Sequence, residues 1–440
     1  MKTWTVLAFA SMLVGSAALA DTHFASTNGA NLWPFASMES AATNIQWAVD
    51  AAVDGDTVRL ADGVYQLSAA ITIDSKNIAM ESLIGSELTI IDGGYPARSN
   101  QCFQIGNVTN CVLRGLTIKG GYASGLGGGG VDVVGKGRIE NCVFRDCHGV
   151  SFGTTAALSA QGQGGGEIAV SDCTFSNNAA PGSIAILYGC VVDRCVFVTN
   201  NANSGASGTP IVKGGYGTEL RNCLIYGNSG LAAKEVVGLT LMNCTIFQNH
   251  ADAGTVGGVS GNFTAYNSIV WSNTYGASHL EGNYYHGIFY YCCTRPQVPD
   301  SDGNNNFALD PGFACVASND FRLRDDSQCL NTGTNQSWMT DATDLINNPR
   351  LVYDIVDRGC YESPSGTSTV TAVELGIQTA VEVSWNSQGG VRYWIQESDN
   401  IEDTNSWLPV DQRIGNGGEI RALYSTRDQP HRYFKVVGQQ

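Results

Sequence analysis

The most constraining feature of this chain is a short phrase that recurs in a fixed form. The phrase consists of an apolar residue, any residue, a polar residue, a Cys, any residue and a second apolar residue. It occupies residues 139–144, 170–175, 192–197, 220–225 and 241–246. Residues 113–118 and 266–270 repeat it with Leu116 and Ser268 in the Cys position. The step between copies varies from 21 residues (223 to 244) to 31 residues (142 to 173). A constant phrase with variable spacers predicts stacked repeats that differ only in loop length.

Apolar residues alternate within each phrase, which predicts short strands with one buried face. No helical pattern separates successive strands, so βαβ units are excluded. The remaining arrangement is all-β, a right-handed parallel β-helix with rungs about 4.8 Å apart. Equivalent residues then stack, and the phrase cysteines should form an inward column of buried free thiols, because parallel Cβ vectors suit a disulfide poorly. This column consists of Cys142, Cys173, Cys195, Cys223 and Cys244. Residues at the bends should form an amide ladder, which consists of Asn141, Asn222, Asn243 and Asn267.

A second signature follows each phrase, an apolar residue with Asn three positions later. It occurs at 175 and 178, 197 and 200, 225 and 228, 246 and 249, and 270 and 273. Together with the Gly-Gly-Val sequences at 129–131 and 257–259, this pattern resembles the repeats of the pectin-lyase-like superfamily over most of residues 45–300. The resemblance implies a secreted bacterial β-helix protein with a polysaccharide or cell-surface glycan as a partner.

Both ends of the repeat carry further signals. Ile45, Ala48, Val49 and Ala52 share one helical face, which predicts a capping helix for the β-helix of residues 21–300. Ordered motifs at 310–313, 319–323, 338–340, 348–350 and 357–362 resemble the choice-of-anchor Q domain and make residues 301–362 a closing segment. A linker at 363–369 then leads to strand patterns that predict a small β-sandwich at 370–440.

The first residues resemble a signal peptide, with Lys2, an apolar run from 4 to 14 and small residues before Asp21. We expect cleavage after Ala20, a secreted or cell-surface location, no membrane span and a monomer. The net charge of −16 disfavours nucleic acid as a partner. Cys315, Cys329 and Cys360 lie outside the repeat, and one pair of them is a disulfide candidate.

Four polar residues near the first long loops are candidates for catalysis, namely Asp132, Arg145, Asp146 and His148. Polysaccharide lyases of the superfamily use Ca²⁺-binding Asp clusters with a Lys or Arg base, and its hydrolases use several close Asp residues. Ca²⁺ is therefore implied only for a lyase, and no other cofactor or metal site is expected. The alternative is a solvated charged face.

The variable spacers 149–166, 199–209 and 274–286 should cluster along one side of the solenoid. They carry candidates for sugar stacking, which are Tyr275, His279, Tyr284, Tyr285 and His286. Packing of the loops on one another is the alternative for these rings. Two functions remain open: binding of a glycan or another surface partner without catalysis, and a polysaccharide lyase or glycoside hydrolase.

Overall fold

A computed structural model describes residues 20–151, 153–162, 167–202, 209–252, 256–352, 354–364, 380–403, 406–425 and 432–439. The chain divides into two compact units, one that ends at Thr367 and one that begins at Ser368. Nearly all of the expected signal peptide and residues 365–369 of the expected linker lie outside the described residues.

The first unit is a stack of coils whose strands form three parallel sheets. Sheet one contains Ile71–Asp74, Thr155–Gly162, Ser183–Tyr188, Pro210–Gly215, Leu231–Glu235, Val259–Ser260 and Tyr284–Tyr285. Sheet two contains Thr22–Ala25, Thr57–Leu60, Ala79–Ser82, Ile168–Ser171, Cys190–Asp193, Glu219–Arg221, Thr240–Met242, Thr264–Tyr266, Ile288–Tyr290 and Gly303–Asn304. Two long strands, Phe103–Arg114 and Val131–Glu140, turn the corner and belong to both sheets.

Sheet three lies after the next bend of each coil. It contains Gly63–Gln66, Thr89–Asp92, Thr117–Lys119, Val143–Arg145, Thr174–Ser176, Val196–Val198, Leu224–Tyr226, Thr245–Phe247, Ile269–Trp271 and Cys293–Thr294. A short ladder then completes the coil through Tyr122–Ala123, His148–Gly149, Ala179, Asn201, Ser229, His250–Ala251 and Thr274–Tyr275, with Leu280–Glu281 added antiparallel at its end. Every pairing within the three sheets is parallel, which confirms the right-handed parallel β-helix expected from the phrase.

The interior is filled by stacked equivalent residues. All five phrase cysteines are buried, and none of them is in a disulfide. Their thiols approach backbone carbonyls, as where the Cys142 Sγ lies 3.3 Å from the Glu140 oxygen. Beside them the rings of Phe144, Phe175 and Phe197 stack with centroids 4.6 and 4.4 Å apart. The cysteines therefore act as small apolar residues in the buried core.

The bend residues adopt the left-handed backbone that such corners require. Asn141, Asn222, Asn243 and Asn267 have φ between 49° and 53°. Their side chains do not form the continuous amide ladder expected from the sequence, and Asn141 is exposed. Within this set of four, the structure shows one amide link, from Asn267 Nδ2 to Asn243 Oδ1 at 3.2 Å. The left-handed bend turns these amides toward the closing segment, and Asn222 and Asn243 donate to its Thr343 and Asp357 carbonyls.

The amide ladder instead lies at the second signature, on the turn after sheet three. Six asparagines take part, and the side-chain Nδ2 of each of the first five donates a hydrogen bond to the Oδ1 of the next asparagine in the ladder. The five distances are 3.0, 3.0, 2.8, 2.9 and 3.1 Å. The members are Asn178, Asn200, Asn228, Asn249, Asn273 and Asn283, all of which are buried. Each amide also donates to a backbone carbonyl or receives a backbone N–H, so these buried polar groups are satisfied.

The two ends of the stack are covered by different structural elements, a helix at the N-terminal end and the closing segment at the other. Helix Ile45–Ala51 begins at Asn44, whose side chain accepts the Gln46 N–H, and buries Ile45, Ala48 and Val49. The closing segment contains the short helices Asp300–Asp302, Val316–Ser318 and Ser337–Met339 and the antiparallel pair Phe313–Cys315 and Asp320–Leu323.

The closing segment also runs back along sheet three. Its Phe313, Phe321 and Leu323 form an apolar cluster with Phe247 and Trp271 on the outer side of that sheet. The buried Arg350 lies 2.8 Å from Glu362 and also donates to Asn222. Cys315 is exposed, Cys329 and Cys360 are buried, and all three are free thiols, so the structure shows no disulfide within this candidate set.

The second unit consists of two antiparallel sheets. One pairs Ala380–Asn386 with Glu419–Ser425, and the other orders Leu408–Ile414, Arg392–Ser398 and Tyr433–Gln439. The Tyr424 ring stacks on Phe434 with centroids 4.9 Å apart, and its hydroxyl donates to Asp411 at 3.0 Å. These contacts join the two sheets as a small β-sandwich. Over the described parts of both units, no helix has the length and apolar character needed to span a bilayer.

Candidate functional site

The four catalytic candidates are distributed over different faces of the coil. Asp132 lies on sheet one, Arg145 ends a strand of sheet three, Asp146 occupies a left-handed bend and His148 lies on the short ladder. Arg145 pairs with Asp146 at 2.8 Å, and Asn177 donates to the same carboxylate. Because the coil turns two corners between residues 132 and 145, Asp132 faces a different side of the solenoid from this ion pair. The structure therefore does not bring the four candidates together around one point, and a catalytic role for any of them stays a prediction.

His148 belongs to an aromatic cluster. Its ring lies 4.5 Å from Tyr95 and nearly parallel to it, and Tyr95 also stacks on Tyr122 at 5.1 Å. Burial lowers the pKa of His148, which favours the neutral form of the ring. It lines a cavity of about 330 Å³ together with Val150 and Pro181. These contacts explain His148 as a packed aromatic ring.

The five aromatic candidates separate into two groups. Tyr275 and His279 lie near the end of the short ladder, where the His279 ring stacks on His250 at 4.1 Å. Tyr284, Tyr285 and His286 lie at the last rung of sheet one. The Tyr284 ring packs against Phe289 at 4.9 Å, whereas Tyr285 is 47% exposed and contacts His286. The spacers 149–166 and 199–209 lie partly outside the described residues.

One outward row of sheet one joins members of both candidate sets. Parallel register places one residue of this row on each of seven successive rungs, and we call the set the outer row. Its members are Asp132, Ser159, Ile186, Lys213, Lys234, Ser260 and Tyr285. At the usual spacing of parallel strands, the six steps span roughly 29 Å. Asp132 and Tyr285 therefore lie at opposite ends of one row, in which Ser159 is buried, at 2% exposed.

Asp132 is held by the protein at its end of the row. Burial raises the pKa of its carboxyl group, while hydrogen bonds from Ser159 and the Gly128 backbone act in the opposite direction. Gly127 packs over this group with φ of 113°, and a Cβ there would lie 2.7 Å from the Asp132 Oδ2. Glycine is thus required for the loop to close over the carboxylate.

Lys213 and Lys234 form the centre of the row. They are register partners on adjacent strands, and both are partly exposed. Their neighbours Val212 and Ala233 point into the core, so alternation directs the lysines outward. Among the described residues neither lysine has an ion-pair partner or a side-chain hydrogen bond. This pair was not among the candidates predicted from the sequence, although Asp132, Lys213 and Lys234 each stand ten residues before a phrase cysteine.

An aromatic and apolar border lies beside the lysines. Tyr188 faces outward two residues after Ile186 on the same strand, and its ring meets that of Tyr216 edge to face at 5.1 Å. Tyr216 is 64% exposed, and Val237 is 52% exposed. Exposed rings beside cations give a surface both apolar contact area and charge.

The described residues contain no group of three or more His, Cys, Asp or Glu side chains that could hold a metal ion. The outer row itself carries one carboxylate, two ammonium groups, two hydroxyls and one phenol. Such a set can donate and accept hydrogen bonds and can pair with anions. It lacks two carboxylates close enough to share a substrate.

No family model matches the chain, and no curated protein matches it. Solved structures with a similar course of the backbone include pectate lyase Pel9A, with 15% identity, coverage of 78% of this chain and 96% of that one, and a TM-score of 0.49. A rhamnogalacturonan lyase has 12% identity, coverage of 68% and 91%, and a TM-score of 0.46. The tailspike protein gp49 of Acinetobacter baumannii bacteriophage Fri1, a capsular polysaccharide depolymerase, has 11% identity, coverage of 87% and 76%, and a TM-score of 0.31.

Proposed function

We propose that this chain is an exported β-helix protein that binds an extended glycan along the outer row of sheet one and does not cleave it. The observation that carries the proposal is the open part of the row, from Ile186 to Tyr285, where one side chain per rung extends over roughly 19 Å. A linear polymer can contact such a surface over several units at once.

The chemistry of the row supports a glycan as the polymer. Ser260 brings a hydroxyl group and the lysines bring donors, which suit sugar hydroxyls and ring substituents. Tyr285 and Tyr188 add rings that can lie against the apolar face of a sugar.

The spacing of charged groups supports binding without catalysis. Glycoside hydrolysis uses two carboxyl groups between about 5 and 9.5 Å apart. Asp132 is the one carboxylate of the row, and three rungs, or roughly 14 Å, separate it from Lys213. A general base and a second acid are therefore not within reach of one reacting atom on this surface.

Export and the identity of the closing segment belong to the same proposal. Cleavage of the signal peptide after Ala20 would place the mature protein outside the cytoplasm. The ordered motifs of residues 301–362 make this segment similar to a choice-of-anchor Q domain. Sequencing the N-terminus of the protein recovered from the medium or the cell surface tests the first point, with Asp21 expected as the first residue.

The binding proposal is tested with purified protein and a panel of immobilised polysaccharides. Retention on at least one polymer without release of unsaturated products or new reducing ends is the expected result. Product release from any polymer would establish the lyase or hydrolase alternative. Absence of retention across the whole panel would refute glycan binding.

A further inference from the structure

The outer row of sheet one contains two like charges in direct register. Lys213 and Lys234 occupy adjacent strands, so their Cα atoms are separated by about one strand spacing, 4.8 Å. Like charges that face each other across strands destabilise a sheet. This pair of lysines lowers the stability of the fold, and no acidic side chain in the described part of the chain compensates for it. Such a pair indicates that an anion from outside the protein binds there.

Most other cations of the described solenoid have a partner within the protein. The paired arginines include Arg59, Arg114, Arg138, Arg145, Arg194, Arg221 and Arg295. Lys119 lies 3.8 Å from Asp92, and Lys76 donates to the Val49 carbonyl. Lys136, at the corner between sheets one and two, is the other lysine of the described solenoid without such a contact. The unpaired charge is thus concentrated at Lys213 and Lys234.

The acid nearest in sequence does not neutralise the pair. Glu235 follows Lys234 directly, but its carboxylate accepts the backbone N–H groups of Gly238 at 2.6 Å and Asn262 at 3.2 Å. The Asp132 carboxylate lies three rungs from Lys213. The two ammonium groups therefore remain available to a ligand.

We infer that Lys213 and Lys234 together bind an anionic group of the glycan, a uronate carboxylate or a sulfate ester. This inference rests on the proposed function, because it names the chemical class of the polymer bound at the same row. Two long side chains on adjacent rungs can converge on one anion. Tyr188 and Tyr216 beside them provide ring surface for the sugar that carries it.

The net charge of the protein does not oppose this assignment at close range. The chain carries −16 overall, which slows the approach of a polyanion. At physiological ionic strength the Debye length is about 8 Å, so the contact itself is governed by charges in the immediate surroundings. The lysine pair is the local excess of positive charge on this face.

The test measures affinity for alginate, dextran sulfate and unmodified dextran, together with any neutral polymer retained on the panel. We expect at least one anionic polymer to bind and uncharged dextran not to bind. The variants Lys213→Glu and Lys234→Glu should each weaken that binding at least tenfold, and Lys213→Arg should retain it. Alginate and dextran sulfate distinguish the carboxylate source from the sulfate source.

Lys136→Glu is the matched control, since it makes the same charge change at another partly exposed lysine without an ion pair. Its affinity should stay within twofold of wild type, and binding should persist with a chelator present. If neutral polymers bind and neither charge reversal changes affinity for any polymer, the anionic assignment is wrong while the proposed function stands. The assignment is also overturned if Lys136→Glu loses as much affinity for the anionic polymer as the Lys213→Glu and Lys234→Glu variants do. Loss of binding in the presence of the chelator has the same consequence. Failure of every polymer to bind refutes both.

Discussion

The outer faces of sheets one and two share the same spacing of rungs but differ in the order of their charges. Charges of opposite sign alternate along sheet two, whereas two charges of the same sign are neighbours on sheet one. On sheet two, Arg59, Glu81, Arg114 and Glu140 follow one another up the coils, with nitrogen to oxygen distances of 3.0, 3.2 and 2.7 Å. On sheet one, the equivalent neighbours Lys213 and Lys234 carry the same sign. Stacking therefore amplifies whatever charge pattern the sequence places on a face.

This difference separates a structural face from a binding face. Alternating signs satisfy each charge within the protein, so the ladder of sheet two has little charge left for a ligand. Repeated signs leave the charge of sheet one unsatisfied until a ligand arrives. Residues that break a local rule at some cost in stability are typical of functional surfaces.

The largest expected effect comes from breaking the alternation on sheet two. Glu140→Lys removes the pairs with Arg114 and Arg138 and places three cations together. We expect a loss of about 1–2 kcal/mol in the free energy of unfolding, measured by urea denaturation. Glu87→Lys makes the same charge change at an exposed site and should stay within about 0.5 kcal/mol of wild type. Equal losses of unfolding free energy in both variants would show that the alternating charges of sheet two contribute nothing specific to stability.

A smaller change in the free energy of unfolding, this time a gain, is expected from a substitution on sheet one. Lys234→Glu converts the like-charge pair with Lys213 into an opposite-charge pair. The free energy of unfolding should rise by about 0.2–1 kcal/mol at low salt, and the gain should shrink as salt is added. Lys136→Glu, several rungs away, should show less of this gain. Destabilisation by Lys234→Glu would mean that the lysines do not repel each other in the folded protein.

The smallest effect concerns Asp132 and depends on pH. Its pKa is raised in the folded state, mainly by burial, so the folded protein favours the neutral carboxyl. The stability supplied by the neutral form is present at low pH and is lost as the pH rises through the folded pKa. Asp132→Asn should therefore stabilise the protein relative to wild type at neutral pH and have little effect near about pH 3. A difference that stays constant with pH would contradict this assignment.

The sequence predicted the coils because the phrase stands at the bend between sheets two and three, where the backbone conformation is the same in each coil. The second signature marks the true amide ladder, but the bend residues Asn222 and Asn243 were given that role instead. Their contacts with the closing segment could not be predicted, since they join residues more than a hundred positions apart.

The outer row was harder to predict because variable loops precede sheet one. Asp132, Lys213 and Lys234 each stand ten residues before the cysteine of the following phrase. Ser159 stands fourteen residues before its phrase cysteine, and Ile186 stands nine residues before its own. The register of sheet one is therefore not a constant offset along the chain. Asp132 and Tyr285 were chosen as candidates for separate reasons, and only the parallel pairing places them on one row.

The most direct test of the account is lysine footprinting of the wild-type protein by acetylation and mass spectrometry, with and without the anionic polymer that it binds. We predict that the polymer protects Lys213 and Lys234 and leaves Lys136 and Lys76 as reactive as before. Uniform protection of all four lysines, or protection that omits the pair, would contradict the assignment of the sheet one face as the binding surface.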